Sequence, residues 1–234
     1  MRRASSTRMT RVHTEIAAVA LALLIPSGIL TAGTVQVQVT LPLPERIDMT
    51  GISNILVTRL VLENDNPKVD LNREMVSLLR RELRKKTSLK VLDVEPPPLP
   101  EQSLEELVAN SSFWKDMGEK YGADLILTGS LRYAISDRSG FVQEDFISPL
   151  TGQRIRRSRF ADREGFEMNL HLYFLRGRSG ELAFDDKFSE ETTVEGKGND
   201  PLTALFSMFD HFESDVLGIV SRRQKVETRT LFTQ

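Results

Sequence analysis

Residues 121–131 read Tyr121-Gly122-Ala123-Asp124-Leu125-Ile126-Leu127-Thr128-Gly129-Ser130-Leu131, and this stretch decides the fold class. Gly122 is the residue type that ends a helix, because without a Cβ it takes the left-handed conformation at no steric cost. Leu125 to Leu127 form an uninterrupted apolar run, the pattern of a strand central in a sheet, and strand is expected from Asp124 to Ile135. A central strand entered directly from a helix belongs to a layered α/β domain.

Upstream, Ser103-Leu104-Glu105-Glu106 fits a capping box. Helix is expected from there through Phe113, Trp114, Met117 and Tyr121, with a break near Asn110-Ser111-Ser112. The run Glu95-Pro96-Pro97-Pro98-Leu99-Pro100 is a stiff extended connector, and Leu89 to Val94 is a short strand before it. From Asp70 to Lys86 the spacing is helical. Leu71, Met75, Leu78, Leu79 and Leu83 share a face, Asp70 suits the N-cap, and Arg84, Lys85 and Lys86 suit the C-terminal dipole. Ile55 to Leu62 is rich in β-formers and ends in the turn chemistry of Glu63-Asn64-Asp65-Asn66-Pro67, so a single buried strand is expected there.

Downstream, Phe166, Met168, Leu170, Leu172 and Phe174 alternate with other residues, the mark of a half-buried strand. A turn at Arg176-Gly177-Arg178-Ser179-Gly180 leads to a returning strand from Leu182 to Thr193, which makes a hairpin. Asp200-Pro201 opens a final helix by the cap-then-proline rule, with Leu202, Leu205, Phe206, Phe209, Val216, Ile219 and Val220 on its apolar face. The expected fold is an α/β layered sandwich with a mixed sheet of about four to six strands, about three helices, and a C-terminal hairpin and helix. Residues 51–223 form a single domain in this reading. Residues 34–50, with alternating Val35, Val37 and Val39 before Pro42 and Pro44, are a linker or edge strand, and 224–234 are a tail.

Residues 1–33 carry a different signal. Arg2, Arg3, Arg8 and Arg11 precede an apolar run from Ile16 to Ile25, then Pro26-Ser27-Gly28 and a second short apolar run to Gly33. Basic head, short apolar middle and small residues before a cleavage point at Thr34 are the parts of a secretory signal peptide. The first run is shorter than the ~20 residues that span a bilayer. A retained anchor through residues 16–33 is the alternative, giving a protein held at the inner membrane and facing the periplasm, and an ordinary buried helix is the third reading. Cleavage would remove four arginines and one glutamate, leaving 27 basic and 32 acidic residues.

Composition narrows the chemistry. The net charge of -2 gives no basic field for nucleic acid. Without cysteine there is no disulfide scaffold, thiolate metal site, cysteine nucleophile or lipoprotein-type acylation. His13, His171 and His211 are scattered, and no HExxH pair marks a zinc site. Gly129-Ser130 lies inside a strand without the glycine spacing of a nucleophile elbow, and reads as small residues packed against a neighbouring helix. Glu195-Gly196-Lys197-Gly198-Asn199 matches no phosphate-binding loop and reads as a flexible turn. Glu144-Asp145 and Asp185-Asp186 are carboxylate pairs with nothing to set them across a cleft. No catalytic pattern and no cofactor site is expected.

The unusual stretch is 137–165. Gly140-Phe141-Val142-Gln143-Glu144-Asp145-Phe146-Ile147 precedes Ser148-Pro149-Leu150-Thr151-Gly152-Gln153, and Arg154, Arg156, Arg157, Arg159 and Arg163 follow with Ile155 and Phe160 among them. So long an insertion is uncommon in a compact domain and is often functional. Arginine's planar fork suits phosphate and carboxylate. Two readings stay open: a solvated hairpin whose charges pair with the acidic body, or a surface for an anionic partner (lipid headgroup, wall polymer or acidic protein). Arg154, Arg156, Arg157, Arg159, Phe141 and Phe146 are the candidate partner-binding residues.

The stretch at 121–131, a helix ending in Gly-Ala-Asp and an apolar strand into Thr-Gly-Ser, resembles the curli assembly/transport component family. It is also similar to the outer-membrane activators of penicillin-binding proteins and to the amino-terminal domain of the Tol-Pal translocation protein. The preceding strand 55–62, helix 71–86 and strand 89–94 fit the same resemblance. It implies a periplasm-facing α/β domain without an active site that binds envelope proteins. The expected function is therefore a non-enzymatic periplasmic or outer-membrane-associated accessory protein. A structural subunit of an oligomeric outer-membrane or secretion assembly, and so a homo-oligomer, is the alternative, and a hydrolase ranks third. Residues 137–165 lack the sustained apolar alternation of a barrel strand, which argues against a secretion channel.

Overall fold

The computed structural model describes residues 33–64 and 69–233. The basic head, the apolar run and the cleavage point before Thr34 lie at or outside the start of the described residues. In chain order the elements are β1 (Gly33–Leu43), β2 (Asn54–Val57), β3 (Val61–Leu62), α1 (Leu71–Lys86), β4 (Lys90–Val91), α2 (Leu104–Ala109), α3 (Ser111–Tyr121), β5 (Leu125–Asp137), β6 (Gly140–Ile147), β7 (Arg154–Ala161), β8 (Arg163–Arg176), β9 (Leu182–Glu195), α4 (Pro201–Val220) and β10 (Arg223–Thr233). β1 and β10 pair as a two-stranded ribbon that is one unit, and residues 42–225 form the other. Residues 224–234, expected as a tail, are therefore largely strand. The alternation in Arg223-Gln224-Lys225-Val226-Glu227 is too charged to read as one.

The main unit is the expected α/β sandwich. Its mixed sheet runs β4-β2-β5-β8-β9, with β3 also on β5. β2 and β3 are parallel to β5, β8 is antiparallel to β5, and β9 is antiparallel to β8. Helices cover both faces. On one, α1 and α4 pack Leu79, Leu83, Leu205, Phe209 and Val216 against Leu125, Leu127, Phe166, Leu170, Leu172 and Phe174. On the other, α2 and α3 pack Leu107, Trp114 and Met117 against Leu56, Ile126, Tyr173 and Leu175. Alternate residues of one strand thus feed opposite cores. β8 shows where the second cover stops: Leu172 to Leu175 are all buried, whereas from Phe166 to Leu172 only every second residue is.

Local chemistry sets the boundaries. The Asp70, Ser103, Asn110 and Asp200 side chains each accept a backbone N–H of the helix they start. Asn110 both ends α2 and caps α3, so the expected middle helix is two, and the described residues hold four helices. Gly122 ends α3 at φ 66°. One strand expectation fails. The run 55–62 is broken into β2 and β3, because Val57 pairs with Leu127 but Val61 pairs with Ser130. Three residues, 58–60, face two, a bulge. The Arg59 N–H turns away to Pro97 O (3.1 Å), and the Asn72 side chain both donates to and accepts from the Leu60 backbone (2.5 and 3.2 Å). A side chain of α1 thus replaces the missing strand partner.

Candidate functional site

The arginine-rich stretch is not a loop inserted between strands. Leu125 pairs with Arg176, Asp137 with Glu164, Gly140 with Ala161 and Ile147 with Arg154. No residue is gained or lost on either side, so β5–β8 and β6–β7 are one antiparallel ribbon in one register. Its first half lies in the sheet; its second half, β6–β7, is an arm of about 26 Å at ~3.3 Å per residue. The cover ends where α4 begins: the Tyr133 hydroxyl donates to Pro201 O, the first residue of that helix (2.7 Å), and burial pushes the Tyr133 phenol well above its ordinary value. At the junction, Arg138 N–H donates to Arg163 O, and Lys197 sits 3.2 Å from Asp162 and 3.8 Å from Asp137.

On the arm Ala161 is the one buried residue. Ten large hydrophobic side chains are exposed among the described residues, and six of them are here: Phe141, Phe146, Ile147, Leu150, Ile155 and Phe160. Phe141 and Phe160 meet edge to face at 5.5 Å, and the Arg157 guanidinium lies 4.9 Å over the Phe146 ring. The turn is closed by Gly152 N–H to Ser148 O and Ser148 N–H to Gln153 O (2.8 and 2.9 Å).

The four arginines of residues 140–161 face two carboxylates, Glu144 and Asp145. Arg159 is fastened to Glu144 and, at 2.8 Å, to Glu195 on β9. The hydrogen bond from Arg159 holds the Glu144 carboxyl below its usual value, and the two glutamates hold the Arg159 guanidinium above its own. Arg154 and Arg156 stand 3.8 and 3.5 Å from Asp145, and Arg157 stands 3.5 Å from Glu144. Their side chains are more than half exposed, and exposed pairs of this kind contribute little. The structure therefore brings the six candidate residues onto one arm, with Arg159 as an internal tie. Ile147, Leu150, Ile155 and Phe160 belong with them; their apolar character is plain in the sequence, but their exposure depends on the missing cover.

The other candidates resolve into structural roles. Gly129 packs against a strand and not a helix: a Cβ there would lie 2.2 Å from His171 O on β8. The Ser130 hydroxyl donates to Glu63. The turn at 195–199 is fastened, since the Glu164 carboxylate accepts from Gly198 N–H, Asn199 N–H and the Asn199 side chain, each at 3.0 Å. The amides of Gly196, Gly198 and Asn199 are thus already taken. His171 lies between the Tyr173 hydroxyl (2.8 Å) and Asp185 (2.9 Å) on the polar half of the sheet face, and His211 pairs with Glu190 on the other side. Glu144 and Asp145 point to opposite faces of their strand, as do Asp185 and Asp186. Among the described residues no three His, Asp or Glu side chains could together hold a metal ion, and no helix is long and apolar enough to cross a membrane. A cleft of about 420 Å³ beside α1 is lined by Arg59, Arg73, Arg80 and Glu95. There Arg59 pairs with Glu95 (3.4 Å) and Arg80 donates to Leu92 O.

No protein-family model and no curated protein matches the chain. Among solved structures it is similar to lipoprotein GNA1162 of Neisseria meningitidis, at 13% identity over 70% of this chain and 99% of that one, with a TM-score of 0.38. It is similar to the PelC dodecamer of Paraburkholderia phytofirmans at 10% identity, over 80% of this chain and 100% of that one, with a TM-score of 0.37. The LpoB C-terminal domain of Escherichia coli matches at 13% identity over 59% of this chain and 82% of that one, with a TM-score of 0.33. The likeness is thus to bacterial proteins, one of them a lipoprotein, at low identity and low TM-score.

Proposed function

We propose that the chain is a non-enzymatic accessory protein of the bacterial cell envelope that engages its partner through the β6–β7 arm. One observation carries this reading: of the ten large hydrophobic residues exposed among the described residues, six project beyond the packed domain together with four arginines. Exposed apolar groups concentrated in this way mark contact sites, because nothing in the fold rewards keeping them. Arginine and aromatic residues are the types that dominate binding contacts. The basic head and apolar run of residues 2–25 support export, and the resemblance of 121–131 to envelope assembly domains points the same way.

A photo-crosslinking residue placed at Phe141 or Phe146 tests the reading in intact cells, with the same residue at exposed Leu182 as the comparison. Discrete adducts from the arm positions alone are expected, lost when Arg154, Arg156 and Arg157 become alanine. Adducts from Leu182 alone, or none to protein or lipid from either place, would reject the arm as the contact surface. An adduct joining two copies of the chain would favour the subunit of an oligomeric assembly.

A further inference from the structure

Four of the arm's exposed apolar side chains, Phe146, Ile147, Leu150 and Ile155, surround its end, and Phe141 and Phe160 pair at its base. Strand alternation and the Ile147–Arg154 and Phe146–Ile155 pairs put Ile147, Arg154 and Arg156 on one face of the ribbon. Phe146, Ile155 and Arg157 lie on the other. Leu150 stands on the turn between them, 95% exposed. A groove in a protein would cover one face and leave the opposite one in water. The interface of a lipid bilayer receives apolar groups from every side at once, and anionic headgroups lie at the level where a ring of arginines behind the tip would meet them.

Resting on the reading of the arm as the contact device, we infer that its end docks into the surface of an anionic phospholipid bilayer. Ile147, Leu150 and Ile155 enter the interface, and Arg154, Arg156 and Arg157 exchange their loose carboxylate contacts for headgroup phosphates. The exchange costs little because those contacts are 3.5 Å or longer on exposed side chains. Each guanidinium can then hold a phosphate with two parallel bonds. The arm docks and does not span: Gln143, Glu144 and Asp145 interrupt the apolar part behind Phe146, whereas a spanning strand needs about 9–11 residues compatible with lipid.

Flotation of the full chain with vesicles of phosphatidylcholine, alone or mixed with phosphatidylglycerol, tests this. Variants are compared as full chains, so that residues 16–33 are present in every sample. The wild type should bind the mixed vesicles, less so at high salt. Replacing Ile147, Leu150 and Ile155 together by serine should weaken binding about tenfold or more. Changing Arg154, Arg156 and Arg157 to glutamine should abolish the preference for phosphatidylglycerol. The fluorescence of L150W should shift to the blue with mixed vesicles only. Equal binding by wild type and the triple serine variant, or no shift in L150W, overturns the proposal. Failure here with arm-specific protein adducts in cells would transfer the arm to a protein partner and leave the proposed function standing; failure of both would remove the arm from either role.

Discussion

Between Leu125 and Ile147 on one strand, and Arg154 and Arg176 on the other, the chain builds a single ribbon and uses its two halves in opposite ways. In the sheet half, Leu125 to Leu127 and Leu172 to Leu175 are buried on both faces by four helices. In the arm half the same antiparallel geometry carries Phe141, Phe146, Ile147, Ile155 and Phe160 with no helix over them among the described residues. Hydrogen bonding is alike in the two; cover is not. An apolar residue in the first half is explained by the core, and one in the second needs another explanation.

The contrast can be broken at its strong end first. Phe174→Ala empties a site buried on both sides, and equilibrium urea unfolding should show a loss of about 3–5 kcal/mol. Gly129→Ala should cost about 1–3 kcal/mol, because its Cβ would collide with the His171 carbonyl and force β5 and β8 apart. A cost near zero would mean that the two strands are less tightly joined than the register requires.

Asp124 sharpens the contrast from its edge. Burial disfavours its charge, but the amides of Ser53 and Asn54 (3.0 and 3.1 Å) and the Arg178 guanidinium outweigh that and hold its carboxyl below the ordinary value. A lowered folded-state value means the stabilisation is whole above the ordinary carboxylate range and is lost as pH falls through the lowered value. Asp124→Asn should therefore cost about 1–2 kcal/mol at neutral pH and progressively less in acid, read by urea unfolding across pH. The smallest effects belong to the arm. Phe141→Ala and Leu150→Ser should change stability by less than about 0.5 kcal/mol, the same measurement checking both.

Much of the sheet half was legible because its signals are local. Asp70, Ser103, Gly122 and Asp200 cap the helices as their residue types suggest, and the alternation from Phe166 marks the half-buried part of β8, although from Leu172 to Leu175 that strand is buried on both faces under α2 and α3 as well. The Gly-Ala-Asp of 122–124 has structural work: a left-handed stop, a buried small residue and a carboxylate that fixes the start of β2. What escaped the sequence depends on distant partners. The bulge at 58–60 comes from Asn72 and Pro97, which the β-rich run itself does not mention. The pairing of β1 with β10 joins strands far apart in sequence. Arg154, Arg156, Arg157, Phe141 and Phe146 stood out by density alone, but the ring of apolar residues around the tip follows from the pairing of Phe146 with Ile155. The constant register also went unseen, because residues 137–165 turn polar where the helices end.

Removing residues 140–161 and joining Ser139 to Asp162 through a short turn tests the division of the ribbon most directly, by urea unfolding of the shortened and complete chains. The division predicts the same cooperative transition, with stability changed by less than about 1 kcal/mol. A loss of several kcal/mol, or a chain that no longer folds, would place the arm's apolar residues in the folding core and remove the reason to assign them a partner.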